Sequence, residues 1–224
     1  MKTRRLLGTL TIGQSPRVDL IPEIKTILGD DVEVIEEGAL DGLTLEEVKG
    51  LHPAPGDYVL VTRMAGGTAV KIAEKHILPR MQEGLNRLVE RGAEIISLVC
   101  TGEFPPFNCD RLVVKPQRLL YNVASAVAAG SKLGVIMPDV DQIPQGTNRW
   151  TRAAAGVLVE AASPYGEPEA LDRAAHSLKD WGAGIVVMDC FGYTLAMKDK
   201  VKGITGAPVI LARSILARVL RELL

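Results

Sequence analysis

Arg91-Gly-Ala-Glu-Ile-Ile-Ser-Leu-Val-Cys100-Thr-Gly102 aligns without a gap on Trp181-Gly-Ala-Gly-Ile-Val-Val-Met-Asp-Cys190-Phe-Gly192, ninety positions further along the chain. The two copies share Gly-Ala at the start, Ile95 and Ile185 next, and Cys-x-Gly at the end. Apolar residues at helical spacing precede each copy: Leu85, Leu88 and Val89 before the first, and Leu171, Ala174, Ala175 and Leu178 before the second. Glycine stops each helix, and a run rich in β-branched residues follows. This pattern predicts helix, tight turn and buried parallel strand, with a cysteine at the strand's carboxyl end. In open α/β sheets ligands sit at that end. A duplicated unit therefore places two thiols at equivalent sheet edges, where one cleft between two lobes would hold a substrate between them.

The rest of the composition fits such a chain. Its 224 residues suffice for one large domain or two of roughly 100, and the internal copy favours two lobes. Apolar residues make up 47% and aromatic residues 4%, so the cores are built from Leu, Val, Ile and Ala. A net charge of −1 with interspersed signs offers no footprint for nucleic acid or an anionic membrane. No apolar stretch approaches the roughly 18 residues of a spanning helix, and Met1 to Gly13 enters a strand too quickly to read as a signal peptide. A soluble cytoplasmic protein is expected. Three cysteines without Cys-x-x-Cys or His-x-x-x-His suggest reduced thiols rather than a disulfide framework or a zinc site.

Strand and helix patterns alternate almost throughout, as in parallel sheets covered by helices. Strands are expected near 5–12, 32–36, 57–62 and 93–99, then near 132–137, 156–160, 184–189 and 208–211. Helices are expected near 16–28, 44–51, 68–91, 116–130, 145–154, 167–181 and 212–223. Leu133-Gly at the head of the second half echoes Leu7-Gly in the first. The expected fold class is α/β with two pseudo-symmetric lobes, each a parallel sheet flanked by helices. Residues 1–115 would form the first lobe, joined by the C-terminal helix 212–224, and residues 116–211 the second.

Chemistry concentrates at the strand ends. Cys100 and Cys190 each enter a turn whose N–H groups can point at the sulfur or at a carboxylate. Buried cysteine is common as plain packing, but two at matched positions of a duplicated unit argue for function. Cys109, in a Pro-flanked loop without a duplicate, reads as incidental. After the first strand, Ser15 and Pro16 are expected as N-cap and first helical residue, with Arg17 beside them suiting a carboxylate or phosphate; a plain cap with a solvated arginine is the alternative. Arg63, followed by Gly66, Gly67 and Thr68 before the long helix, is a second expected anion cradle; turn punctuation is the alternative. No Gly-x-Gly-x-x-Gly or Gly-Lys-[Ser/Thr] loop supports nucleotide binding. His52, His76 and His176 lie in a loop and in helices away from the strand ends, and Asp189 points to the face opposite its neighbour Cys190.

Ile12-Gly-Gln-Ser-Pro-Arg17, Thr62-Arg-Met64, Leu98-Val-Cys-Thr-Gly-Glu-Phe104, Leu133-Gly-Val-Ile136, Asp189-Cys-Phe-Gly-Tyr-Thr194 and Leu211-Ala-Arg-Ser214 together resemble the AroM family, from the first strand to the last helix. That family is similar to the aspartate/glutamate/hydantoin racemase and maleate isomerase superfamily. The resemblance implies two α/β lobes, two cysteines facing a small acid, and neither metal nor pyridoxal cofactor. It makes Cys100 and Cys190 the acid–base pair and puts Thr101, Thr194 and the loop after Thr11 around the substrate; with the strand-end reading, the residues expected there are Thr11, Gln14, Ser15, Arg17, Arg63, Thr101, Gly102, Phe191, Gly192, Tyr193 and Thr194. Gly102 stands where many racemases have Asn, and Phe191 where many have Thr. Hydroxy, keto or unsaturated acids and cyclic imides therefore join amino acids as expected substrates.

The function expected from these features is a cofactor-independent racemase or isomerase of a small carboxylate or hydantoin-like molecule. A non-catalytic ligand-binding protein, a one-cysteine lyase and a Cys–His amidase are the alternatives. The expected partner is the small carboxylate itself, with neither nucleic acid nor membrane; assembly into a homo-oligomer is left open.

Overall fold

The computed structural model describes residues 5–224. The basic start Met1–Arg4, part of the stretch weighed as a leader peptide, lies outside the described residues. Two compact units divide the chain: residues up to Pro116 together with Ala217–Leu224, and Gln117–Leu216.

In the first unit β1 (Arg5–Thr11), α1 (Ile21–Leu28), β2 (Val32–Gly38), α2 (Leu45–Lys49), β3 (Val59–Arg63), β4 (Ala69–Ala73), α3 (Glu74–Glu90), β5 (Ile95–Leu98) and β6 (Leu112–Val114) follow in order. The main sheet has the order β2-β1-β5-β6, all parallel. Its central strand β1 reads as an uninterrupted buried run because both faces are covered. On α3, Ile77, Met81, Leu85 and Leu88 recur at helical spacing and pack on Leu10, Ile96 and Leu98. Full burial of each such side chain stabilises by about 1.5–3 kcal/mol.

The chain continues with α4 (Pro116–Val127), β7 (Lys132–Met137), a short 3-10 turn at Val140–Gln142, α5 (Ile143–Trp150), β8 (Gly156–Ala161), α6 (Pro168–Trp181), β9 (Ile185–Met188), α7 (Leu195–Thr205) and β10 (Val209–Leu211) through the second unit, and ends in α8 (Ala212–Leu223), which starts in the second unit and from Ala217 belongs to the first. The second unit's sheet, β8-β7-β9-β10, is again all parallel and repeats the first topology strand for strand. Leu171, Ala174, Ala175 and Leu178 of α6 face its core of Ile136, Val186 and Met188. The duplication extends to single hydrogen bonds. Val99 N donates to Leu10 O and Asp189 N to Ile136 O, both at 2.9 Å; Ala93 N donates to Leu88 O and Ala183 N to Leu178 O.

Several local expectations are corrected. The strand near 57–62 is not part of the parallel sheet; it pairs antiparallel with β4, from Val59 opposite Ala73 to Arg63 opposite Ala69. Helix 68–91 accordingly starts only at Glu74, because Val70 and Ile72 belong to this hairpin. Helix 16–28 starts only at Ile21, with Leu20 at its N-cap. The unassigned segment 195–205 is α7, capped by Thr194 and closed by Gly206. Only Val201 of this helix is buried, which leaves too narrow an apolar stripe to reveal it by periodicity.

The paired glycines carry out the turns read from the sequence. Gly92 and Gly182 hold φ of 88° and 83°, in the left-handed region where a Cβ is strained. Gly203, inside α7, has open space around its Cα. Gly182→Ala is expected to lower stability by about 1 kcal/mol or more, whereas Gly203→Ala should raise it by about 0.5–1 kcal/mol. Urea unfolding of both variants checks this; equal effects would mean that the left-handed turn is not the constraint.

Candidate functional site

In the first unit, parallel pairing of β1 with β5 brings two segments out of the sheet side by side: Thr11–Arg17 after β1 and Cys100–Gly102 after β5. Cys100 is half-buried on the core, and its Sγ accepts the N–H of Gly102 at 3.2 Å. Thr101 beside it is buried. In the second unit Cys190, also half-buried, follows β9, and its Sγ accepts the N–H of Gly192 at 3.3 Å. Each Cys-x-Gly is therefore one and the same turn, closing the second amide onto the sulfur. Close packing explains the glycines. A Cβ on Gly102 would meet Leu60 at 2.8 Å, and one on Gly192 would meet the Pro164 ring at 2.5 Å.

The segment after β1 is a web of hydrogen bonds. Ser15 is not a helix cap: its hydroxyl and its N–H both donate to Asp41, at 2.6 and 2.7 Å, and the helix that it was expected to start begins beyond this loop. Gln14 spans the same region, donating Nε2 to the carbonyls of Leu40 and Leu43 and accepting from Ala65 N at Oε1. Arg17 is buried at 5% exposure, and its fork, Nε and Nη2, is taken by the Asp19 carboxylate at 2.9 and 2.8 Å. Its Nη1 donates to Thr11 Oγ1 at 2.9 Å. Thr11 Oγ1 also accepts the N–H of Gly13 at 3.1 Å. With both lone pairs occupied, this hydroxyl has its proton left to donate.

Arg63 ends β3 and turns back on its own hairpin, donating Nε to Gly67 O at 2.7 Å. Met64 N donates to Thr68 O, so Thr68 closes a hairpin turn and caps no helix. The turn-punctuation alternative for Gly66 and Gly67 describes this segment.

Around Cys190 the elements interlock. Phe191, Gly192 and Tyr193 are buried, and the Phe191 carbonyl accepts from Arg213. Tyr193 donates its hydroxyl to Ala162 O at 2.6 Å, tying the loop to the end of β8. Burial, and then the ionisable neighbours Cys190 and Asp189, push this phenol well above its ordinary range, so it is a neutral donor. Thr194 Oγ1 accepts Met197 N at 3.2 Å and caps α7. Asp189, buried beneath the cysteine, accepts from Trp150 Nε1 at 2.8 Å and from Arg149 Nη1 at 3.0 Å.

The sequence reading did not single out Arg149, Trp150 or Asp41, and it met Arg213 only within Leu211-Ala-Arg-Ser214, with no role given. Arg213 was within reach, because it follows a strand at the ligand edge as Arg17 does. Cys109 packs against the first core. His52, His76 and His176 are exposed, and Nδ1 of His52 and of His176 hydrogen-bonds a main-chain carbonyl, those of Pro53 and Asp172. Among the described residues no helix is long and apolar enough to cross a membrane.

Two α/β units of this topology define the fold shared by a group of racemases and isomerases. The Nocardia farcinica maleate cis-trans isomerase matches with a TM-score of 0.62 at 14% identity, over 98% of this chain and 92% of that one. The allantoin racemase from Klebsiella pneumoniae matches with 0.61 at 11% identity, over 98% and 87%. The Picrophilus torridus aspartate racemase matches with 0.58 at 11% identity, over 97% and 93%. No curated protein matches in sequence. The chain belongs to the AroM family, described as AroM protein, whose family model matches residues 7–224.

The Arg17–Asp19 pair gives a pH-dependent prediction. Burial works to raise the Asp19 carboxyl, but the hydrogen bonds and charge of Arg17 outweigh it and hold the group below its usual range. A carboxyl lowered on folding stabilises above its unfolded value, about 3.9, and that stability is lost as pH falls through the folded value. Asp19→Asn should therefore cost stability at neutral pH and progressively less below about pH 4. Unfolding midpoints across pH check this; a pH-independent difference would show that the charge of Asp19 does not matter.

Proposed function

We propose that this AroM family chain is a cofactor-independent racemase or isomerase acting on a small carboxylate or hydantoin-like molecule, with Cys100 and Cys190 as its acid–base pair. One observation carries the proposal: each sulfur lies at the carboxyl end of an equivalent strand and accepts the second amide N–H of an identical Cys-x-Gly turn. A turn built twice to aim a donor at sulfur favours thiolate chemistry over packing. The fold shared with racemases and isomerases supports the reaction class.

One thiolate takes the proton from the carbon beside the carboxyl, forming S–H as C–H breaks, and the electron pair moves onto the carboxyl as an enediolate. The other thiol returns a proton to the opposite face and is left as thiolate. Donors must meet the growing charge, and each well-placed one contributes about 2.7–4 kcal/mol. Thr11 and Thr194, whose oxygens already accept backbone or arginine donors, are assigned to this task with Arg63 and Thr101, while Gln14, Ser15, Gly102 and Tyr193, whose protons go to Leu40 and Leu43, to Asp41, to Cys100 and to Ala162, are assigned to holding the walls of the substrate site. Phe191 and Gly192 shape the second turn. Arg17 contributes by holding Thr11, since its own fork is engaged by Asp19.

The test is deuterium exchange in D₂O with a panel of mono- and dicarboxylates, amino acids and hydantoins, read by NMR at the carbon beside the carboxyl. For a chiral substrate, Cys100→Ser should stop exchange from one enantiomer and spare some from the other, and Cys190→Ser should do the reverse. One side chain cannot reach both faces of a held carbon. No exchange across the panel would overturn the reaction class, and equal losses for both enantiomers in both variants would overturn the division by face.

A further inference from the structure

The peptide between Phe191 and Gly192 makes contacts at both ends. Its N–H donates to Cys190 Sγ at 3.3 Å, while its carbonyl oxygen accepts Nε and Nη2 of Arg213 at 2.9 and 2.5 Å. Arg213 sits in the first turn of α8 and is 2% exposed, so its charge acts with little screening by solvent. A cation on an amide oxygen draws electron density toward that oxygen and sharpens the N–H as a donor, as in any polarised chain of hydrogen bonds. An N–H aimed at sulfur favours thiolate over thiol.

The geometry points to Arg213 as the positioning residue that sets the ionisation of Cys190: through the Phe191–Gly192 peptide it holds this sulfur as thiolate in the resting protein. Within the two-cysteine reading on which its catalytic meaning rests, Cys190 is then the group that first accepts a proton and Cys100 the one that first gives one. As S–H forms on Cys190 the substrate C–H breaks; as the new C–H forms, the Cys100 S–H breaks. A turnover therefore ends with the protonation of the two sulfurs exchanged, and a proton must return before the next turnover in the same direction.

The other groups around the turn fit this assignment. Asp189, at the end of β9, is the anion nearest in the chain, and it is held by Arg149 of α5 and by Trp150. Tyr193 is a neutral phenol directed at Ala162 O, and Tyr165, in the loop after β8, lies against Gly192. Counting Asp189, Arg149 and Arg213, one positive charge is in excess. Among the described residues, the register position that matches Arg213 in the first copy holds no cation. Leu211 pairs with Met188 and Val114 with Ser97, so the position matching Arg213 in register is Gln117, which is uncharged. In the first unit Lys115 instead directs Nζ to the carbonyls of Phe104 and Pro105, past the turn.

The experiment needs no substrate, so its outcome is separate from that of the exchange measurements. The full chain is treated briefly with iodoacetamide from about pH 5 to about pH 10, bracketing ordinary thiol ionisation, and each cysteine is followed by mass spectrometry. Half-maximal alkylation of Cys190 is expected at or below about pH 7.5, as for thiols lowered by nearby cations, and below that of Cys100. Arg213→Gln should raise the Cys190 midpoint by about one unit, roughly a fivefold loss of thiolate at neutral pH for a midpoint near 7, and leave the Cys100 curve in place. Arg213→Lys, which keeps the charge and loses the fork, should fall between. A Cys190 midpoint at or above that of Cys100 in the unsubstituted protein would overturn the assignment, whether or not any variant folds. So would an Arg213→Gln protein that melts cooperatively yet leaves the Cys190 curve unmoved.

Discussion

Parallel pairing of each unit's two central strands is the constraint on which the rest depends. Leu10 lies opposite Leu98 in the first sheet and Ile136 opposite Met188 in the second. Because both strands of a parallel pair run the same way, their carboxyl ends emerge together. The segment after the first strand and the cysteine turn after the second become neighbours without any direct contact having to specify it. The packing of α3 on one sheet and of α6 on the other fixes this register, since a slip by one residue would turn every buried side chain to the wrong face.

On that frame, buried charge serves position more than stability. The Arg149–Asp189 pair has side chains 3% and 0% exposed. Such a pair gains little net free energy over an apolar replacement, while loss of one partner costs about 3–5 kcal/mol. Its effect is to tie α5 to the residue preceding Cys190. Arg17 with Asp19 does the same beneath Thr11, and Arg213 does it at the Phe191 carbonyl. Three buried arginines thus brace segments that leave the sheets at the cysteine edge, each acting on the chain's own groups.

The duplication is faithful in the backbone and divergent in the side chains. Both Cys-x-Gly turns direct an amide to sulfur, and both helices before them close on a left-handed glycine. The hairpin β3–β4 follows β2 in the first unit, whereas β8 is followed by Tyr165 and the start of α6. Two turns with the same geometry therefore sit among different charges.

The sequence by itself determined two parallel α/β units, seven of their eight sheet strands and the place of both cysteines; β6, only Leu112–Val114, is too short to show a pattern. These follow from local pattern: β-branched runs, helical spacing of Leu and Ala, and glycines at turns, all repeated in one chain. It left the hairpin of β3 and β4 hidden, because Val70 and Ile72 become a strand only by pairing with β3, and residues before and after them suit a helix. It left α7 hidden as well, since one buried residue gives no stripe to read. Above all, it showed arginines at strand ends without showing what they hold. Whether Arg17 faces a ligand or Asp19, and whether Arg213 is a helix residue or a clamp on the Phe191 carbonyl, depends on groups distant in sequence or on the path of a loop. Only the folded chain brings those partners within hydrogen-bonding distance, and so only tertiary structure decided them.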